Sequence, residues 1–237
     1  MPKMPHDFSL LFHHDVCLNF STVKLVKNLG FILDDSLTLT SQVNQTVKTC
    51  YNRLNNLYRI GNMLNKNRKL QLVTMYIFSC LDNCNLLYYG ISAKLIHRLQ
   101  IVLNDCVRFV CNVHRSSWKD GVSTTDLSKS LHILPIRFRI LYKISLTVFK
   151  CLYGNAPCYL KELIVCSQTY CSLRAANRTN RLKPPFSPKY NKICNAFKYC
   201  APTVWNDLPP SIRCISTLSS FKSSLKTHYF GIAYQGE

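Results

Sequence analysis

Adjacent carboxylates at Asp34 and Asp35, inside Ile32-Leu33-Asp34-Asp35, are the one place where two acids stand together as they do in turns that bridge Mg²⁺. The position before Leu33 is Ile32 rather than an aromatic. A third acid would have to come from Asp7 or Asp15, where no strand pattern exists. The expected reading is a strand end followed by a turn into a helix. The seven histidines are scattered, and His132, before Ile133-Leu134-Pro135, reads as a packed or capping side chain. Of the thirteen cysteines, Cys80/Cys84, Cys106/Cys111 and Cys166/Cys171 stand close, but none has the CxxC spacing of a zinc site; they read as reduced, half-buried apolar side chains. No GxSxG, phosphate-loop, dinucleotide-binding or HExxH pattern occurs. No catalysis, metal or cofactor is expected.

The other chemistry is phosphate binding. Thirty Lys and Arg against eleven Asp and Glu give a net charge of +19, which favours a polyanionic partner. Residues 1–136 carry fifteen basic and eight acidic side chains, and residues 137–237 fifteen and three. Between Glu162 and Asp207 no acid occurs, while Arg174, Arg178, Arg181, Lys183, Lys189, Lys192 and Lys198 all fall there. Tyr170, Phe186, Tyr190, Phe197 and Tyr199 are interleaved with them, either to stack on unpaired bases or to anchor a basic loop to the core. Arg139, Lys143 and Lys150 form a second candidate face, opposite Ile140, Ile144 and Val148 on one helix. Gln100, Asn104 and Arg108 make an i, i+4, i+8 polar ridge that suits a hydrogen-bonded helix interface as well as nucleic acid. Trp205, flanked by prolines, reads as a loop anchor.

The elements that must carry these residues follow from periodicity. The chain is 47% hydrophobic, enough to fold. Lys24 to Leu33 reads as one strand after an ill-defined lead. From Ser41, Val43, Val47, Cys50, Leu54 and Leu57 mark a helix that Gly61 stops; Asn67 to about Tyr88 marks a second, closed by Gly90; Leu95 to Val110 marks a third. Residues 114–126 read as a loop. Pro135 opens a long helix ended by Gly154 and Pro157, residues 166–203 read as irregular chain, and Ser219 or Ser220 caps a last helix with Phe221, Leu225 and Tyr229 on its inner face. The expected fold is mainly α: a short N-terminal strand, a helical bundle, then a helical and irregular C-terminal region. His13, His14 and Asp15 break the short apolar run at residues 8–12 before it forms a signal sequence. Lys143 and Lys150 interrupt the longest apolar stretch well short of the roughly 20 residues that span a bilayer. No membrane role is expected, and the expected location is intracellular, nuclear or cytoplasmic.

Several collinear stretches carry a family resemblance: VKNLGFILDDSL (26–37), SCLDNCNLLYYGI (79–91), RLQIVLNDCVR (98–108), SLHILPIRFRILYKI (130–144), FKCLYGNAPCYLKEL (149–163), AFKYCAPTVWNDLPPSIR (196–213) and SSFKSSLKTHYF (219–230). In order and spacing they resemble the region after the palm in LINE-type (non-LTR) retrotransposon reverse transcriptases of the broad jockey-like group. The resemblance implies a truncated palm remnant with one strand at 1–40, a helical thumb-like region at 41–113, a loop at 114–126 and a basic C-terminal extension at 127–237. It further implies a non-catalytic fragment of an RNA-directed DNA polymerase, the catalytic aspartates and endonuclease lying upstream. The implied partners are RNA, DNA or an RNA/DNA hybrid, and a palm-containing reverse transcriptase. The alternative is a structural or protein-interaction remnant of a mobile element with no nucleic-acid role. Leu103, Cys106 and Val107 depart from the smaller residues common in relatives and imply a bulkier packing face.

Overall fold

A computed structural model describes residues 7–11, 17–21, 23–113, 123–154, 156–165, 180–185 and 196–235. The chain is mainly helical, and among the described residues the antiparallel strands lie in its N-terminal part. Strands β1 (Asp7–Leu11) and β2 (Cys17–Ser21) pair with each other, and β3 (Leu25–Asn28) pairs with β4 (Phe31–Asp34). Residues 24–33, expected as one strand, are therefore a hairpin. Leu29 and Gly30 both adopt positive φ, +48° and +83°, the left-handed pair that reverses a two-residue hairpin loop. A leucine there hides the turn, because Asn-Gly is the usual signal.

Asp34 ends β4 and organises the entry to α1 (Thr40–Ile60). Its Oδ2 accepts from Thr38 N (2.8 Å), Thr38 Oγ1 (2.7 Å) and Ser36 Oγ (3.0 Å), and its Oδ1 accepts from Leu39 N (2.8 Å). Leu37 and Leu39 are left-handed, so without these acceptors the turn would leave its amides unsatisfied. The adjacent-acid motif is thus a strand end and helix-entry turn, as its context suggested.

Helix α1 buries Val43, Cys50, Leu54 and Leu57, and Gln42 with Thr46, on one face. A polar chain crosses this face. Ile32 N donates to Gln42 Oε1 (2.8 Å), Gln42 Nε2 donates to Thr46 Oγ1 (3.3 Å), and Thr46 Oγ1 meets Tyr88 Oη (3.3 Å), tying the hairpin to the chain just before Gly90. The helix ends at Ile60 as expected, but Gly61 is right-handed at φ −58°. Its role is close approach: a Cβ there would lie 2.9 Å from Phe109 Cε2.

The expected helix 67–88 is shorter. Asn65 caps α2 (Lys66–Val73) by accepting from Arg68 N (2.9 Å); a π-helical turn (Thr74–Phe78) and α3 (Ser79–Leu81) follow. The chain leaves the helix at Asp82, turns through left-handed Cys84, and resumes as a 3₁₀ turn at Asn85–Tyr88. Asx side chains compete with helical carbonyls, and Asn85 Nδ2 indeed donates to Asp82 Oδ1 (3.2 Å).

Helix α4 (Ala93–Cys111) is the spine of the core, burying Leu99, Val102, Leu103, Cys106, Val107 and Val110 among others. It closes on left-handed Asn112, with Val113 N donating to Arg108 O (3.0 Å). Residues 114–122 of the expected loop lie outside the described residues; Ser123 caps α5 (Thr124–Ser130), so 124–126 are helical. Helix α6 (Ile136–Leu152) runs as expected and buries Ile136, Ile140, Ile144 and Val148. A short α7 (Cys158–Lys161) follows.

Helix α8 (Phe197–Asn206) replaces the end of the expected irregular stretch and carries Pro202 within it. After α9 (Pro210–Arg213), α10 (Leu218–Gln235) starts before the serines expected to cap it, with Phe221 N donating to Thr217 O (3.0 Å). Phe221, Leu225 and Tyr229 are buried. One apolar cluster runs from Phe31 through α1, α4 and α6 to Tyr229.

Candidate nucleic-acid interface

Among the described residues of the basic segment, residues 180–185 run beside the end of α8, with Asn180 left-handed at φ +42°. Leu182 is buried, and its neighbours Arg181 and Lys183 are exposed. Several hydrogen bonds hold this strip. Leu182 N donates to Asn206 Oδ1 and Asn206 Nδ2 donates back to Leu182 O, both at 2.9 Å. Trp205 Nε1 donates to Asn180 O (2.6 Å), and Lys183 N donates to Val165 O (2.8 Å). Lys198 is exposed near the opposite end of α8.

Beneath the strip Trp205 is fully buried, 5.7 Å from the Phe221 ring, which itself stacks on Phe149 at 4.3 Å. It is an anchor, as expected. Arg213 is also buried; its Nε donates to Leu208 O (2.9 Å), and Asn180 Nδ2 donates to Arg213 O (3.2 Å). Desolvation and the nearby Arg181 charge lower the Arg213 pKa from its ordinary value. Asn206 and Arg213 are parts of the platform that charge counting missed. Their only sequence signal is their place in the Trp205-Asn206-Asp207 and Ile212-Arg213 stretches.

Arg174, Arg178, Lys189 and Lys192, with Tyr170, Phe186 and Tyr190, lie outside the described residues. Phe197 packs against the core, so it anchors rather than presents a free ring.

The second face divides. Arg139 is captured: its Nε donates to Asp82 Oδ1 (2.9 Å), its Nη2 to Asp82 Oδ2, and its guanidinium lies 4.8 Å over the Phe78 ring. This corrects its reading as a phosphate ligand, since a fork already closed on a carboxylate and stacked on a ring is a structural clamp. Lys143 is exposed and borders a groove of about 440 Å³ with His132 and Lys226. Lys150 is half-buried.

On the polar ridge of α4 one residue, Gln100, makes a bond to another helix, and the side-chain bonds of Asn104 and Arg108 stay within α4. Gln100 Nε2 donates to Asn104 Oδ1 (2.8 Å), Gln100 Oε1 accepts from Ile136 N (2.9 Å), capping α6 from another helix, and Arg108 pairs with Asp105 (2.9 Å). His132 is left-handed just after α5 and exposed, with its ring 5.2 Å from the Phe230 ring. Cys50, Cys106, Cys151 and Cys200 are buried thiols, and desolvation pushes Cys106 up to about 12. No group of three or more His, Cys, Asp or Glu side chains converges among the described residues. No helix among them is long and apolar enough to cross a membrane.

Arg181 and Lys183 therefore belong to one strip held at the end of α8, Lys198 is exposed near the other end of that helix, and Lys143 and Lys226 line a separate groove. No protein-family model, curated protein or solved structure matches the chain.

Proposed function

We propose that this chain is the non-catalytic, post-palm part of a LINE-type reverse transcriptase and that it holds template-primer nucleic acid through its backbone phosphates. The observation that carries the reading is charge: +19 overall, with exposed Arg181 and Lys183 held outward by buried Leu182 and a hydrogen-bonded platform. A rigid strip lets phosphate contacts form without ordering a free loop. The collinear stretches from Val26 to Phe230 support the family assignment. In this reading Asp34 serves the α1 turn, and the chain supplies positioning rather than chemistry.

The test is fluorescence anisotropy of the purified chain with single-stranded RNA, duplex DNA and an RNA/DNA hybrid at about 50 and 200 mM salt. About six phosphate contacts would give a log–log salt slope of around −4 to −5. Charge reversal at Arg181, Lys183 and Lys198 should weaken binding to all sequences alike; unchanged binding by the folded variant removes the platform from the proposal.

A second reading, a protein-interaction remnant, is favoured by the β3–β4 hairpin. Val23, Leu25, Val26, Leu29 and Leu37 are exposed there, Leu29 at 99%, and a two-stranded sheet keeps unpaired edges. In that case a palm-containing partner should co-purify at high salt and release on charge substitution of Leu25 and Val26.

A further inference from the structure

Helices α6 and α10 carry no acid, so their lysines gain no counterion from their own elements. The two helices are fixed against each other: Phe149 stacks on Phe221 at 4.3 Å, and Ser145 Oγ meets Tyr229 Oη at 3.0 Å. Lys143 on α6 and Lys226 on α10 are both exposed, and neither ammonium has a hydrogen bond or ion pair among the described residues.

Both lysines border one groove of about 440 Å³, whose other walls come from α2, the π-helical turn and the residues after α5. Asp82, the acid among its described lining residues, is already closed by the Arg139 fork. Lys143 and Lys226 therefore leave the groove two positive charges in excess. Beside these charges the walls are apolar: Leu70, Leu131, Tyr142 and Leu146 pack against the core and also line the groove. Two ammonium groups and a hydrocarbon wall in one concavity suit a molecule that is a dianion at one end and apolar at the other. A carboxylate or a phosphodiester brings a single charge, whereas a phosphate monoester is close to doubly charged at pH 7.

We propose that this groove binds a phosphate monoester with a short apolar body, its head held by the Lys143 and Lys226 ammonium groups and its body laid on Leu70, Leu131, Tyr142 and Leu146. The clamp of Arg139 on Asp82 neutralises the acid that would repel the head. The wall is preformed, so binding costs the ordering of two lysine stems and little else. The site shares Lys143 with the second candidate face but does not rest on nucleic-acid binding, since a phosphodiester backbone offers neither the second charge nor the apolar body. A soluble ester and a lipid phosphate monoester share this chemistry.

The experiment is isothermal titration of the full chain with hexyl phosphate, hexanoate, hexanol and inorganic phosphate, at about 150 mM salt to screen the bulk charge. Hexyl phosphate should bind at least about tenfold more tightly than inorganic phosphate, which lacks the body, and than hexanol, which lacks the head. Hexanoate should fall between. Lys143→Met and Lys226→Met should each lose about tenfold for hexyl phosphate, and both positions are exposed, so these variants report binding by the folded chain. Lys222→Met, one turn before Lys226 and outside the groove, should change nothing. Leu146→Gln should lose about fivefold for hexyl phosphate and little for inorganic phosphate. Phosphatidylcholine vesicles containing phosphatidic acid separate the two sources. Retention on them that is lost in the double variant Lys143→Met with Lys226→Met assigns a lipid headgroup; retention that survives it, or no retention, assigns a soluble ester. Equal binding of hexyl phosphate and inorganic phosphate, or a loss as large in Lys222→Met as in Lys226→Met, overturns the proposal.

Discussion

The indole N–H of Trp205 donates to the main-chain oxygen of Asn180 at 2.6 Å, joining a buried helix residue to the strip that displays Arg181 and Lys183. Each partner needs the other. The indole would be an orphaned buried donor without the carbonyl, and the strip would lose its fixed end without the ring. Trp205→Phe should therefore cost about 1 kcal/mol for the hydrogen bond, and Trp205→Ala on the order of 3 kcal/mol for the cavity as well. Urea unfolding followed by circular dichroism measures both; an Ala variant as stable as wild type contradicts the anchor.

Asp34 should make stability depend on pH. Partial burial raises its pKa, but hydrogen bonds from Thr38, Leu39 and Ser36 outweigh this and hold the carboxyl well below its ordinary value. A depressed folded-state pKa contributes stability that is complete above the unfolded value, about 3.9, and is lost as pH falls through the folded value. Asp34→Ala should lower the urea midpoint clearly at pH 7. The gap to wild type should narrow at pH 3 and below. A gap that widens on acidification contradicts the assignment.

At Gly61 the expected outcome depends on one ring. An added methyl would meet Phe109 Cε2 at 2.9 Å, and Phe109 is itself buried. Gly61→Ala would gain helix propensity, yet the overpacking should win, with a net loss of about 1–2 kcal/mol. The double variant Gly61→Ala with Phe109→Leu should lose less than the sum of the two single losses. Additive losses in that cycle would show that the contact does not exist.

Arg139 and Lys143 stand one turn apart on α6 and should behave oppositely. Arg139→Ala breaks the Asp82 clamp and uncovers Phe78, and should cost about 2–3 kcal/mol of stability with no effect on the salt slope of nucleic-acid binding. Lys143→Ala leaves the fold intact and should reduce that slope by about 1 if Lys143 touches a phosphate. Thermal melts and anisotropy on the same two proteins separate these effects.

Helices α1, α4 and α6 are legible in the sequence because each buries a continuous stripe at helical spacing: Val43 to Leu57, Leu95 to Val110, Ile136 to Val148. The anchoring role of Trp205 follows from its size and its neighbours. Helix α8 is hidden behind Pro202, whose ring reads as a break, although buried Cys200, Ala201, Val204 and Trp205 hold the helix through it. The β3–β4 hairpin is hidden because Leu29 occupies a left-handed turn position where Asn would have announced it.

Composition and periodicity by themselves determined that this chain folds as mainly helical elements around an apolar core and that it carries excess positive charge. Those properties are sums over neighbours three or four residues apart. Only the tertiary structure decided which charges are spent inside. Asp82 reaches Arg139 across 57 residues, Gln100 caps α6 across 36, and Lys69 meets Asn112 across 43. A side chain's partner at such separations is set by how helices pack, so Arg139 and Lys143 are alike in sequence and become a clamp and an exposed cation only in the folded chain.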